Sequence, residues 1–289
     1  MGNPITSLEK LSEPVTKLVE VIAAGIGRVY APFGTVRQAR ADATAKIIHA
    51  KADGSVIEIQ ERANARVQHR EAVRQQNIER IASQAALELP EKVSSNGVNL
   101  DWTLQYFDHA QDVCDENMQK LWARILAGEV ANPGSYSKRT LQFLKTLDKG
   151  EAEAFTYICS LCLTEENGWY ELPEEPEMRQ TLSEKYGDAD YVAHFTSIGL
   201  LLPATGEVLP STVRKGVELT YFGRNFVLET TEEEKKGPLA RLEIGIGLRA
   251  FSSIGQQLAS IAGAVPFEGY VERLANGCDE RYKIKFREH

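Results

Sequence analysis

Cys159 and Cys162 form a CxxC motif, whose residue types and spacing are typical of metal-binding and redox sites. Two cysteines separated by two residues hold zinc when a second ligand pair completes a tetrahedral site, and they carry redox chemistry in a thioredoxin-type context. The sequence supplies neither. On a helix they would lie beside Phe155 and Ile158 on the buried side, so we predict packed thiols rather than metal ligands.

The histidines and glycines show no catalytic pattern either. The five histidines have neither the spacing of a metal site nor an acidic partner set for a triad: His49, His69, His109, His194 and His289. Gly245 and Gly247 lack the third glycine and the βαβ setting of a dinucleotide fingerprint. We therefore predict that the protein is not an enzyme and has no catalytic residues, cofactor or metal.

An arginine ridge is the clearest candidate for binding. Four arginines recur at every fourth residue: Arg62, Arg66, Arg70 and Arg74. On a helix they share one side, where they suit contact with phosphates. Glu58, Glu61 and Glu71 are interleaved with them, and a solvated face with ion pairs explains the pattern equally well. Nucleic acid is therefore an alternative partner rather than the favoured one.

The charge and cysteine content limit the class of protein. The 289 residues include 33 Lys and Arg against 41 Asp and Glu, a net charge of -8. The resulting field repels nucleic acid and anionic membranes, so such binding would need a local basic patch. Four cysteines without a secretory leader predict free thiols in the cytoplasm. No run approaches the roughly 18 to 20 apolar residues of a membrane-spanning helix.

An amphipathic stripe opens the chain. Apolar residues at steps of three and four share one helical face: Leu8, Leu11, Val15, Leu18, Ile22 and Ile26. We predict a helix that packs on the body of the protein or on another subunit. Insertion at a membrane surface is the alternative. Glu9, Glu13 and Glu20 argue against it, because interfacial helices usually carry Lys and Arg on their polar face.

A long polar helix is predicted to follow. Strong helix formers fill residues 35–89, and no proline occurs there before Pro90, which favours a helix of about 50 residues, bent near Asp53 and Gly54. Its apolar residues are few and small, which suits a helical hairpin or an intersubunit bundle better than a globular core. We therefore expect the first third to project and to form a homo-oligomer.

Four short helices are predicted between residues 101 and 163. Asp101 and Asp115 are placed to cap the first two, Gly128 to end the second, and Asp148 with Glu151 to open the fourth. Large apolar residues fall on the inner helix faces and are expected to form a structural hub: Trp102, Phe107, Leu121, Trp122 and Ile125.

The string Leu-Trp-Ala-Arg-Ile-Leu-Ala-Gly-Glu at residues 121–129, followed by Pro133, Gly134 and Ser135, resembles a bacterial family of unknown function. More distantly, it is similar to the abortive-infection alpha group of phage-defence proteins. The resemblance extends over most of the chain. It implies a bacterial cytoplasmic protein linked to phage defence, and it implies no catalytic residues.

The last half reads as an acidic connector followed by winged-helix-like units. A helix ending at Gly199, a hairpin near residues 204–206 and a strand reaching Thr220 resemble such a module, with a helix after Thr220 that packs through Phe222 and Phe226. A similar pattern recurs from Phe251, and a final helix and strand end the chain. Such modules bind DNA or other proteins.

These patterns predict a mainly α fold with a C-terminal α+β part. We expect an amphipathic start and long helical arm at 1–90, a helical hub at 91–163, and an acidic connector with a winged-helix-like domain at 164–289. The predicted function is a non-enzymatic, self-associating binding or effector protein in phage defence. A nucleic-acid-binding regulator and a membrane-acting effector are the alternatives. A second copy is the expected partner. Another protein, nucleic acid and peripheral membrane contact are the other candidates.

Overall fold

The computed structural model describes residues 12–27, 54–165, 170–173, 176–186, 190–203, 217–230, 248–277 and 282–286. Its described part is mainly helical with one antiparallel sheet, which confirms the predicted helical class. The chain divides into two compact units, residues 1–145 and 146–289. The predicted boundaries at residues 90 and 163 fall inside these units. Within the described ranges, no helix is long and apolar enough to cross a membrane.

In the residues that the structure describes, all the regular structure of unit 1 is helical. Its helices are α1 (Glu13–Ile26), α2 (Gly54–Leu87), α3 (Leu100–Ala110), α4 (Glu116–Ala131) and α5 (Lys138–Thr146). α2 packs mainly on α4, and α1 packs mainly on α3. Gly25 makes the second contact close, because a β-carbon there would overlap the ring of Phe107. The long helix predicted from residue 35 is described only from Gly54 onward, so its first part and the predicted bend lie outside the described residues.

Helix ends in unit 1 differ from the prediction at two positions. Asn99, not Asp101, caps α3, since its side chain accepts a hydrogen bond from the N–H of Trp102 at 3.1 Å. Asp115 caps α4 as predicted. Gly128 does not end α4, which continues to Ala131. Glycine occupies this position for another reason, because an added β-carbon would lie 2.7 Å from the ring of Tyr136.

Unit 2 combines helices with a sheet. Its helices are α6 (Lys149–Cys159), α7 (Pro176–Tyr186), α8 (Tyr191–Ser197), α9 (Ser253–Ala259) and α10 (Tyr270–Gly277). Its strands are β1 (Leu163–Glu165), β2 (Tyr170–Pro173), β3 (Val217–Tyr221), β4 (Arg224–Thr230), β5 (Leu248–Ala250) and β6 (Tyr282–Phe286). They form an antiparallel sheet in the order β5-β2-β1-β3-β4-β6. The predicted acidic connector thus contains β1, β2 and α7.

Aromatic residues hold unit 2 together. Phe155 on α6 packs against the rings of Phe195 and Phe251, each with 5.7 Å between ring centroids. The buried hydroxyl of Tyr221 donates to the carbonyl of Ser160 at 2.8 Å, which ties the sheet to the end of α6. Buried hydroxyls therefore find partners, as a stable core requires.

The helix predicted after Thr220 is wrong, because residues 224–230 form β4 and pair with β3. Alternate residues Leu219 and Tyr221 are buried, which is the period of a strand with one covered face. Phe222 and Gly223 make the turn with φ of 45° and 83°, as two-residue hairpin turns require. The hairpin signal is easily missed, since phenylalanine rarely adopts this conformation.

Candidate functional site

The first half of α2 is a projecting helix surface. Residues 58–71, here called the exposed arm, have exposed side chains apart from the half-buried Ala63. Ile59 and Val67 are 60% and 47% exposed, although both lie on an apolar face with Ala63. The same face continues along the helix to Ile78 and Ile81, which are buried in unit 1. One amphipathic stripe is therefore covered at one end and uncovered at the other.

The arginine ridge is divided by its contacts. Arg74 forms a two-pronged ion pair with Asp112, with Nε–Oδ1 and Nη2–Oδ2 distances of 2.7 Å and 3.0 Å. The Arg74 guanidinium lowers the pKa of the Asp112 carboxyl. Among the described residues, Arg70 is ion-paired with its neighbour Glu71 alone, at 3.5 Å. Arg62 and Arg66 are exposed and make no ion pair with any residue the structure describes.

The described part of the N-terminal stripe lies inside unit 1. Leu18 and Ile22 are buried, and Val15 and Ile26 are half-buried, while Leu8 and Leu11 lie outside the described residues. Lys17 fastens the same helix by donating from Nζ to the carbonyl of Ser94 at 2.6 Å. Membrane contact through this stripe therefore requires α1 to separate from α3 and α4.

The hub residues form a buried aromatic cluster. Trp102, Phe107, Trp122 and Ile125 are at most 3% exposed, and Leu121 is half-buried. The Trp102 ring stacks on Tyr106 at 5.2 Å, and Trp102 Nε1 donates to the carbonyl of Tyr136 at 2.8 Å. These residues join α3 to α4 and to the loop after it, so their arrangement serves packing.

Glu129, the last residue of the string at residues 121–129, has a structural role. It is 2% exposed, and its two carboxylate oxygens accept hydrogen bonds from the N–H groups of Gly134 and Tyr136 at 2.7 Å and 3.0 Å. Burial raises the pKa of this carboxyl, and the backbone donors partly oppose that rise. The buried acid thus fixes the loop through residues 133–136, and no reactive role is needed to account for it.

A buried polar contact fixes how α2 meets α4. Asn77 Oδ1 accepts a hydrogen bond from Gln119 Nε2 at 3.2 Å, and Asn77 Nδ2 donates to the carbonyl of Gln111 at 3.0 Å. Gln119 also donates to the carbonyl of Val113 at 2.8 Å. Because these amides are almost fully buried, any shift of α2 along α4 breaks bonds that water cannot replace.

His109 lies beside the buried aromatic cluster of the hub and is 8% exposed. Its ring packs edge-on to Trp122 with 6.4 Å between centroids, and its Nδ1 is 3.6 Å from the carboxylate of Asp108. Burial lowers the pKa of His109, and the nearby Lys145 lowers it further. The folded hub therefore favours the neutral ring.

The other chemically suggestive residues also have structural roles. Cys159 and Cys162 are buried, and burial raises the pKa of the Cys162 thiol well above its ordinary value, so it stays protonated. His194, for which the sequence offered no acidic partner, has one in Glu151 at 2.6 Å. The other Glu151 oxygen accepts from the N–H of Asp148, as a capping box requires. Among the described residues, no group of three potential ligands could hold a metal.

Fold and surface together define a class: a mainly helical protein of two units, with an exposed, amphipathic helical arm. The family model described as "Protein of unknown function (DUF2806)" matches residues 61–275, about three quarters of the chain. The chain belongs to this family. The match begins in the exposed arm and ends within α10. No curated protein and no solved structure matches the chain.

Proposed function

We propose that this protein is a non-enzymatic effector that self-associates through the apolar face of its exposed arm. The observation that carries the proposal is the uncovered stretch of the α2 stripe at Ile59 and Val67. Burying apolar surface is worth about 25 cal/mol per Å². A second copy offering the same face therefore stabilises an association, and narrow helical stripes are usual at such seams.

The proposed setting is bacterial phage defence. Its support is the resemblance of the string at residues 121–129 to the abortive-infection alpha group; the family match itself carries no activity. In unit 2, α8 followed by the β3–β4 hairpin supports a winged-helix-like surface for a protein partner. Phe222 at the hairpin tip is 45% exposed, which supports contact at that end.

Light scattering of the full chain tests self-association directly. We expect at least twice the chain mass for the natural protein and the single-chain mass for a variant carrying Ile59→Glu and Val67→Glu. The matched control carries Ala65→Glu and Gln68→Glu, which add the same charge on the opposite side of the arm. A natural protein that stays monomeric at tens of micromolar would contradict the proposal.

A phage challenge tests the biological setting. Bacteria producing the natural protein should show fewer plaques than cells with an empty vector. The Ile59→Glu, Val67→Glu variant should lose that protection at equal protein level, while the Ala65→Glu, Gln68→Glu control keeps it. Equal plaque counts with and without the natural protein, over a panel of unrelated phages, would remove the phage-defence part and leave self-association standing.

A further inference from the structure

The charges of the exposed arm, mixed along the sequence, are sorted around the helix. At about 100° per residue, Arg62, Arg66 and Arg70 share one side. Glu61 and Glu71 fall on the other side, across the helix from the ridge. The arm therefore carries a basic band, defined here as Arg62, Arg66 and Arg70, which starts beside the apolar face and reaches its edge at Arg70. Glu58 lies one turn before the start of the band.

The members of the basic band are available for binding. Arg62 and Arg66 have exposed side chains without an ion pair to any residue in the described ranges. Arg70 is ion-paired with Glu71 at 3.5 Å, and that carboxylate is held more closely by Arg74, at 3.1 Å. Arg74, one turn further along, is engaged by Asp112 and lies outside the band. An acidic protein thus displays a line of exposed guanidinium groups on a projecting helix, and Arg70 is the member of that line with an ion pair in the described ranges.

We propose that the basic band binds the sugar-phosphate backbone of nucleic acid without reading its sequence. Guanidinium groups pair with phosphate through two parallel hydrogen bonds. Three of them, spaced by four residues or about 6 Å along the helix axis, form a line that suits a linear polyanion. Arg62 and Arg66 lie beside the apolar face, whereas Arg70 falls between Ile59 and Ala63 around the helix. A phosphate backbone can therefore occupy the Arg62 and Arg66 side of the band while the apolar face is covered. The inference goes beyond the proposed self-association and does not depend on it.

Nucleic acid fits the arm better than an anionic membrane does. A helix at a membrane surface sinks its apolar face and carries cations on both borders of that face. Here one border is basic, while the other carries Gln60, Asn64 and Glu71. That acidic and amide border would meet lipid headgroups with no gain in charge neutralisation.

The test is fluorescence anisotropy of the full chain with a labelled, random-sequence duplex DNA over a series of KCl concentrations. Three phosphate contacts predict that the logarithm of the binding constant falls with the logarithm of salt with a slope of about -2.7 per arm. Replacing Arg62→Gln and Arg66→Gln should reduce the steepness by about 2 and weaken binding to all sequences alike. Arg74→Gln is the matched control and should leave the slope unchanged, since Asp112 already holds that guanidinium.

Three outcomes of these measurements would overturn the proposal. Absence of binding at 50 mM salt or below, at any protein concentration up to about 100 μM, removes it. A slope that is unchanged in the Arg62→Gln, Arg66→Gln variant places the contact elsewhere. Binding to phosphatidylserine vesicles but not to DNA assigns the band to membranes. Light scattering of the same variant should still show the assembled mass, so loss of DNA binding is separable from loss of self-association.

Discussion

The two halves of α2 share one apolar stripe and meet opposite surroundings. From Arg74 onward the stripe is covered, Asn77 is hydrogen-bonded to Gln119, and Arg74 is ion-paired. In residues 58–71 the same stripe is exposed and the arginines lack such partners. An amphipathic pattern thus predicts that one face of a helix is covered, but it does not identify what covers that face. The packed half is covered by unit 1, whereas no residue that the structure describes covers Ile59 and Val67 on the arm.

Matched truncations should show the largest difference between the halves. Ile81→Ala removes a fully buried side chain and should lower the free energy of unfolding of unit 1 by about 2 to 4 kcal/mol. Ile59→Ala should change it by less than about 0.5 kcal/mol in the monomeric state. Urea titration can be monitored by the fluorescence of the three tryptophans, of which Trp102 and Trp122 lie in the core of unit 1. Equal losses for both variants would mean that the arm is packed in solution.

Two histidines extend the comparison to pH. Burial lowers the pKa of His109 in the folded state, so the unfolded chain binds the proton first as pH falls below about 6.5. Unfolding free energy should therefore decrease on acidification from pH 7 to 5, and it should be fully recovered above pH 7. Because His109 accounts for the uptake of up to one proton on unfolding, His109→Gln should reduce the pH dependence of the unfolding free energy by that amount. His69→Gln, on the exposed arm, is the control for the substitution itself and should leave the urea midpoint at pH 7 unchanged, because the side chain is exposed.

The smallest expected difference concerns the arginines. Arg74→Gln breaks a two-pronged ion pair and should reduce stability measurably at low salt, by less than Ile81→Ala does. The loss should shrink in 1 M NaCl, because the pair is partly solvated. Arg66→Gln should have no effect on urea midpoints at either salt concentration. A comparable loss from Arg66→Gln would indicate an ion pair that the arm makes in solution.

Local patterns predicted much of the helical architecture. The apolar faces of α3 and α4, the Asp115 cap and the Asp148–Glu151 box follow from spacing within one turn, where sequence neighbours are also spatial neighbours. Errors arose where two local explanations competed. Asn99 and Asp101 are both good caps, and the strand of β4 contains residues that also suit a helix.

The candidate surface was predictable only in part. The four arginines are visible in the sequence, but the division between Arg74 and the others depends on Asp112, which lies 38 residues away. The partner of His194 is also distant in sequence, since Glu151 lies 43 residues before it. Contacts of this length depend on how helices pack, and hydrophobic periodicity fixes faces without fixing neighbours.

Gly128 has a consequence for how the family can vary. Its place inside α4 is tolerable because the ring of Tyr136 lies against it, where any β-carbon would collide with that ring. A relative that gains a better helix former at this position must either move or lose the aromatic ring eight residues later. The two positions should therefore change together across the family, and a relative with alanine at the first and tyrosine at the second should have moved the loop between them.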